Sequence, residues 1–183
     1  MNGFNFIDGL NGLSSFNFIS IISSVLYVGY FYNDIFIVNL SALIIIFAIV
    51  VFLFNFPFGK IFLGDSGSYS FGAVYSFFII YQYTTFKNIF FVEEILILTL
   101  IPGLELLRLS VYRISKGRNI FSGDLEHIHH LLLKKFNQIQ TNLIVLLLII
   151  TPIFFLLFKQ TNLYLIVLIS TLSYFLIIHL LKR

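Results

Sequence analysis

The chain has 183 residues, 59% of them hydrophobic and only 10% charged, with a formal net charge of +3 and no cysteine. Soluble domains are about half apolar and a quarter charged, and a core of this size cannot hide the excess, so the solvent for most of the chain is expected to be lipid. Disulfides and cysteine-ligated zinc are excluded, and the small net charge gives no reason to expect a nucleic-acid partner.

Residues 1–15 read MNGFNFIDGLNGLSS, rich in Gly and Asn. Asn2, Asn5, Asp8 and Asn11 recur every three residues, which on a helix gives a drifting but shared polar face. Such a row suits hydrogen bonds to a polar ligand, and it equally suits a cap and turn at a membrane edge. Two apolar runs follow, 16–32 and 35–56, each near the roughly 20 residues needed to cross a bilayer. Pro57, Gly59, Gly64 and Gly67 then break the pattern around Lys60 and Asp65, so residues 57–68 are expected to form a loop. Within it, Gly64-Asp65-Ser66-Gly67-Ser68 lets backbone approach a ligand closely. Asp65 is a hard oxygen donor of the kind Mg²⁺ uses, or else Asp65 or Ser66 simply caps the next helix.

A third span covers 69–86 and a fourth 91–112. The fourth is the least apolar, with Glu93 and Glu94 near one end and Pro102, Glu105 and Arg108 near the other. Glu105 and Arg108 lie one turn apart and read as a structural ion pair, because ionisable groups at membrane depth are costly unless paired or functional. Residues 113–140 are the longest polar passage, with three of the four His at His127, His129 and His130. His127 and His130 can face one way on a helix. Neutral imidazole can bind metal and imidazolium can bind phosphate. With Asp124 nearby the spacing leaves a metal reading open, although the acids complete no zinc pattern. Arg113, Lys116 and Arg118 set topology, attract anions, or do both. Spans five and six cover 143–158 and 163–181. His179, alone in the last, reads as an interfacial or helix–helix residue.

Six crossings put the N-terminal segment, the 57–68 loop, the 113–140 loop and the C-terminus on one side. That side and its adjoining helix end hold Lys60, Arg108, Arg113, Lys116, Arg118, Lys134, Lys135, Lys182 and Arg183, against only Lys87 and Lys159 on the other. Nine against two makes the first side cytoplasmic. The expected fold is all-α: a polytopic integral membrane protein of about six transmembrane helices, one membrane domain over 1–183, its active-site loops in the cytoplasm.

The motifs together resemble one family. NGFNFIDGLNGL resembles the NAxNxxDGxDGL signature of the polyprenyl-phosphate N-acetylhexosamine-1-phosphate transferases, and IFLGDSGSYSFG resembles their FxGDxGSxxxG loop. PGLELLRLSVYRISKGRNIFSGDLEHIHHLL resembles their P-x-x-D-x-x-R segment and its downstream D-x-x-H-x-H-H. The HxHH form looks more like the bacterial undecaprenyl-phosphate N-acetylglucosamine-1-phosphate transferases than the phospho-N-acetylmuramoyl-pentapeptide transferases of peptidoglycan synthesis. The resemblance implies that a polyprenyl phosphate attacks the β-phosphorus of a cytoplasmic UDP-N-acetylhexosamine, UMP leaves, and Mg²⁺ (with Mn²⁺ as an alternative) neutralises charge. It implies Asp65 as metal ligand and Asp8, Asp65, His127, His129 and His130 as catalytic residues. Asn2, Asn5, Asn11, Phe62, Arg113 and Arg118 would bind substrate, with Phe62 packing on uracil. It places the protein in the bacterial cytoplasmic membrane, in cell-envelope polysaccharide synthesis.

Three departures qualify the resemblance. Asn11 and Glu105 stand where the family usually has Asp. The family's Asp-Asp pair on an earlier cytoplasmic loop is absent from this sequence, and the family has more spans than the six counted here. The expectation is therefore the C-terminal portion of a transferase, from a truncated sequence or a split or decayed gene, inactive alone, with an N-terminal half or a homo-oligomer as the candidate protein partner. A non-catalytic membrane protein derived from the family is the alternative. A transporter or channel would place ionisable residues at mid-bilayer, whereas here the acids and histidines sit at one edge.

Overall fold

The computed structural model describes residues 10–57, 59–86, 92–120, 125–157 and 162–182, without the side chains of residues 92 and 93. Asn2, Asn5, Asp8 and Asp124 lie outside the described residues. These residues form eight helices and no strand. In chain order they are α1 (Leu13–Phe31), α2 (Ile35–Asn55), α3 (Gly64–Thr85), α4 (Val92–Leu98), α5 (Leu100–Ser115), α6 (Ile128–Leu133), α7 (Gln138–Leu157) and α8 (Leu163–Lys182). The protein is an all-α, polytopic membrane protein.

Four helices, α1, α2, α7 and α8, are long and apolar enough to cross a membrane. The expected third and fourth spans differ from these for identifiable reasons. Helix α3 is 22 residues long, but it takes in the polar Gly64–Ser68 stretch that was expected to be loop. The fourth apolar run is divided at Thr99 into helices of 7 and 16 residues. Pro102 accounts for the break: it cannot donate to the carbonyl of Leu98, and its ring would clash with that carbonyl in a continuous helix. In the first turn of a new helix the missing N–H costs nothing.

Helix α1 packs on α2, α3 and α7, and α7 in turn contacts α4, α5, α6 and α8. The core between α1 and α3 includes a parallel stack of Phe18 on Phe71, with ring centroids 4.0 Å apart. The turn into α2 is fixed by Asp34, whose Oδ1 accepts from the Ile37 N–H at 3.1 Å; this is an ordinary N-cap. At the same end of the bundle Tyr81 Oη of α3 donates to Asp34 Oδ2 at 3.1 Å. Outward faces are almost wholly apolar. On α2, Leu43, Ile46, Phe47, Val50, Leu53 and Phe54 are all exposed. Water would penalise so large a contiguous patch, whereas hydrocarbon does not.

The alternation of helix direction brings the ends of α2, α5 and α8 and the starts of α1, α3 and α7 to one end of the bundle. Direct contacts confirm it. Asn142 near the start of α7 reaches the turn before α1, and Lys135 Nζ donates to the Leu180 carbonyl near the end of α8 at 2.9 Å. The described parts of the polar stretches singled out in the sequence therefore share one end.

Candidate functional site

The turn before α1 and the loop before α3 are joined by two glycines and two asparagines. Gly12 has φ +85°, and a Cβ there would meet the Phe56 Cβ at 2.7 Å. At Gly59, φ +59°, a Cβ would meet Asn11 Nδ2 at 2.7 Å. Both positions need glycine for backbone conformation and for closeness of approach. Asn55, at the end of α2, receives a hydrogen bond from the Gly12 N–H on its Oδ1 and donates from Nδ2 to the Ile61 carbonyl at 2.6 Å. Asn142 Nδ2 donates to the Asn11 carbonyl at 2.9 Å. Asn11, half-buried, is thus held by α7 on one side and lies against Gly59 on the other. Asn55 and Asn142 were not singled out in the sequence. An amide at the polar end of an apolar run is the only local signal for either.

Asp65 and Phe62 lie beyond this junction. Phe62 is 74% exposed. Asp65 sits in the first turn of α3, whose N-cap is Leu63 and which has no side-chain cap. Neither Asp65 nor Ser66 caps the helix, so the capping alternative does not hold. Ser68 instead turns back to the carbonyls of Gly64 and Asp65, at 3.1 Å each. The Asp65 carboxylate is exposed and takes part in no hydrogen bond or ion pair among the described residues. A carboxylate so placed, beside the unpaired N–H groups of a helix start, suits a cation and an anion binding together.

The histidines occupy a different part of the same end. His127 is the N-cap of α6, with φ −60° and ψ 146°, and makes no capping bond with its own side chain. The rings of His129 and His130 lie 4.3 Å apart by centroid, and those of His127 and His129 5.3 Å apart. His129 is 3% exposed, and its Nε2 is buried without a hydrogen-bond partner. Burial, then the neighbouring His130 and His127, lower its pKa to about 3, against a small opposing pull from Glu105. His129 is therefore neutral at pH 7, which favours the neutral-imidazole reading over the imidazolium one at this position. No group of three or more His, Asp or Glu side chains among the described residues is arranged to hold a metal.

This depressed pKa has a consequence for stability. Between pH 6.5 and about 3 an unfolded His129 binds a proton that the folded site refuses, so stability is complete above that window and falls as pH falls through it. Thermal unfolding in detergent should show the midpoint dropping on acidification, and His129→Gln should make the drop shallower. An unchanged slope in the variant would show that His129 is not the group responsible.

The acid one turn into α5 turns out to organise the histidine segment. Glu105 is 2% exposed, and its carboxylate pairs with Arg108 at 3.0 Å. It also accepts from Tyr174 Oη and from the Ile128 N–H, the latter at 2.8 Å, and lies 3.5 Å from His127 Nδ1. The structural ion pair expected at these two positions is present, and it reaches the His segment. Arg113 is buried, with Nη1 donating to the Ile120 carbonyl at 2.6 Å, so it braces its own loop. Arg118 and His179 are exposed.

Comparison with known proteins adds an independent line. Residues 1–83 match the family model described as glycosyl transferase family 4. That stretch contains the first two motifs and ends within α3. A curated relative, the undecaprenyl-phosphate alpha-N-acetylglucosaminyl 1-phosphate transferase of Thermotoga maritima, is 33% identical over 149 residues, which cover 79% of this chain and 43% of that protein. The chain thus spans less than half the length of that relative. No solved structure matches it. The match agrees with the resemblance carried by the motifs: over residues 1–83 the chain is similar to glycosyl transferase family 4.

Proposed function

We propose that this chain forms part of a membrane enzyme that moves N-acetylhexosamine 1-phosphate, most simply GlcNAc 1-phosphate, from a UDP-sugar to a polyprenyl phosphate. The observation that carries the reading is the gathering of the Asn11 turn, the Asp65 helix start and the His127–His130 segment at one end of an apolar bundle. A site at a membrane edge can take one substrate from water and the other from lipid. The positive-inside bias supports the cytoplasm as the side of that edge, and a bacterial cytoplasmic membrane as its setting.

In this reading a phosphate oxygen of the lipid attacks the β-phosphorus of the UDP-sugar. The new P–O bond forms as the bond to UMP breaks, and UMP leaves with the electron pair. Asp65 fits the role of Mg²⁺ ligand, because Mg²⁺ is commonly bound through one or two carboxylates with water and phosphate oxygens completing its shell. Mg²⁺ held there would supply charge neutralisation for the diphosphate. The uncapped N–H groups at the start of α3 favour the same anion. Phe62, exposed beside them, offers a ring face to the uracil. Neutral His129 offers Nε2 as a hydrogen-bond acceptor in a dry site, and Arg118 adds positive charge at the rim. Asp8, Asn2 and Asn5, in the same motif as Asn11, are proposed to complete the nucleotide side.

The test is UMP release by membranes from cells expressing the natural gene, supplied with Mg²⁺, UDP-GlcNAc and undecaprenyl phosphate. Release that requires both substrates supports the proposal. Release that ignores the lipid, or none where a known transferase succeeds, would defeat it.

A further inference from the structure

Tyr174 lies on α8, in the last membrane-spanning run, and is completely buried. A hydroxyl at such a place is costly unless it is paired, and this one is paired twice. It donates to Glu105 Oε2, and it accepts from Arg108 Nε at 2.8 Å. Glu105 and Arg108 then grip the main chain on both sides of His127. The Ile128 N–H donates to Glu105 Oε1 at 2.8 Å, and Arg108 Nη2 donates to the Glu126 carbonyl at 2.6 Å. Helix α6 has no cap from its own side chains, so its N-terminus is capped by a carboxylate from α5 that α8 holds in place. The ring of Tyr174 serves packing. Its hydroxyl serves only to fix the carboxylate and guanidinium.

We propose that Tyr174 is a positioning residue for the His127–His130 segment, acting through Glu105 and Arg108. The inference rests on the transferase reading for its effect on catalysis. Its effect on the loop stands apart from that reading.

The experiment compares the wild type with Tyr174→Phe, both expressed from the natural gene. Tyr164→Phe, 75% exposed near the other end of α8, is the matched control. Amide hydrogen exchange is read over residues 125–130, and transfer kinetics are measured in parallel. In the wild type the Ile128 amide should be protected like the core of α8. In Tyr174→Phe it should exchange faster, with turnover down about tenfold or more and KM for the UDP-sugar changed by less than about threefold, as expected when positioning rather than binding is lost. Added to His127→Gln, Tyr174→Phe should cost little further turnover, because both act at one place. The control should match the wild type in every readout.

An unprotected Ile128 amide in the wild type would overturn the proposal, and that arm needs no variant to fold. So would unchanged exchange in Tyr174→Phe, or a turnover loss fully additive with that of His127→Gln. If the wild type transfers no sugar phosphate, the transferase reading fails, while the exchange results still decide the positioning.

Discussion

Asp65→Asn is expected to lower Mg²⁺-dependent sugar-phosphate transfer by about a thousandfold or more, the scale of losing a group that stabilises charge in the transition state. The substitution keeps the size and place of the side chain and removes only its charge. Because the Asp65 carboxylate is exposed and bonds to no other described residue, the fold has little to lose. Stability should change by about 1 kcal/mol or less, the worth of an acid near a helix N-terminus. The prediction is thus a separation: activity collapses while thermal unfolding and membrane insertion stay put. Transfer rates over a Mg²⁺ titration check it. Unchanged turnover would remove Asp65 from the metal site.

Glu105→Ala is expected to act in the opposite way, through the fold. Glu105 is buried beside Arg108 and takes further hydrogen bonds from Tyr174 and the Ile128 N–H. Truncating it leaves a buried guanidinium without its counter-charge, which costs about 3–5 kcal/mol. It also leaves the start of α6 uncapped. Thermal unfolding should show a large drop in midpoint, accompanied by faster exchange at residues 126–130. Glu105→Asp, the residue usual in the family, should retain more stability than the alanine variant. A midpoint within error of the wild type would show that the cluster contributes little.

These two residues also mark how far the sequence could be read. Asp65 was legible because glycines flank it and an apolar run follows, which is local information. Even so, the boundary differs: Gly and Ser favour a loop by local preference, whereas the helix starts at Gly64. The apolar segments were equally legible, because hydropathy is additive along the chain. The break at Thr99 was not read, although Pro102 signalled it. Glu105 and Arg108 at i,i+3 were read as a pair, correctly. Their partner Tyr174 is 69 residues from Glu105, and Asn142 is 131 residues from Asn11. Contacts of that range leave no periodicity in a single sequence. Only the fold shows that the last helix reaches the His segment, and that Gly59 lies against Asn11. Burial of His129 was likewise hidden, because three histidines in a polar passage look solvated until α6 is seen packed on α7 and α8.

The most direct test of the transferase account follows two labels in one UDP-GlcNAc, one in the sugar and one in the β-phosphate. Membranes from cells expressing the natural gene would be given this donor with undecaprenyl phosphate and Mg²⁺. The account predicts that both labels enter the lipid phase in equal amounts while unlabelled UMP is released. Sugar label in the lipid without β-phosphate label would mean transfer of the sugar alone and would contradict it, as would absence of both labels where a known transferase works.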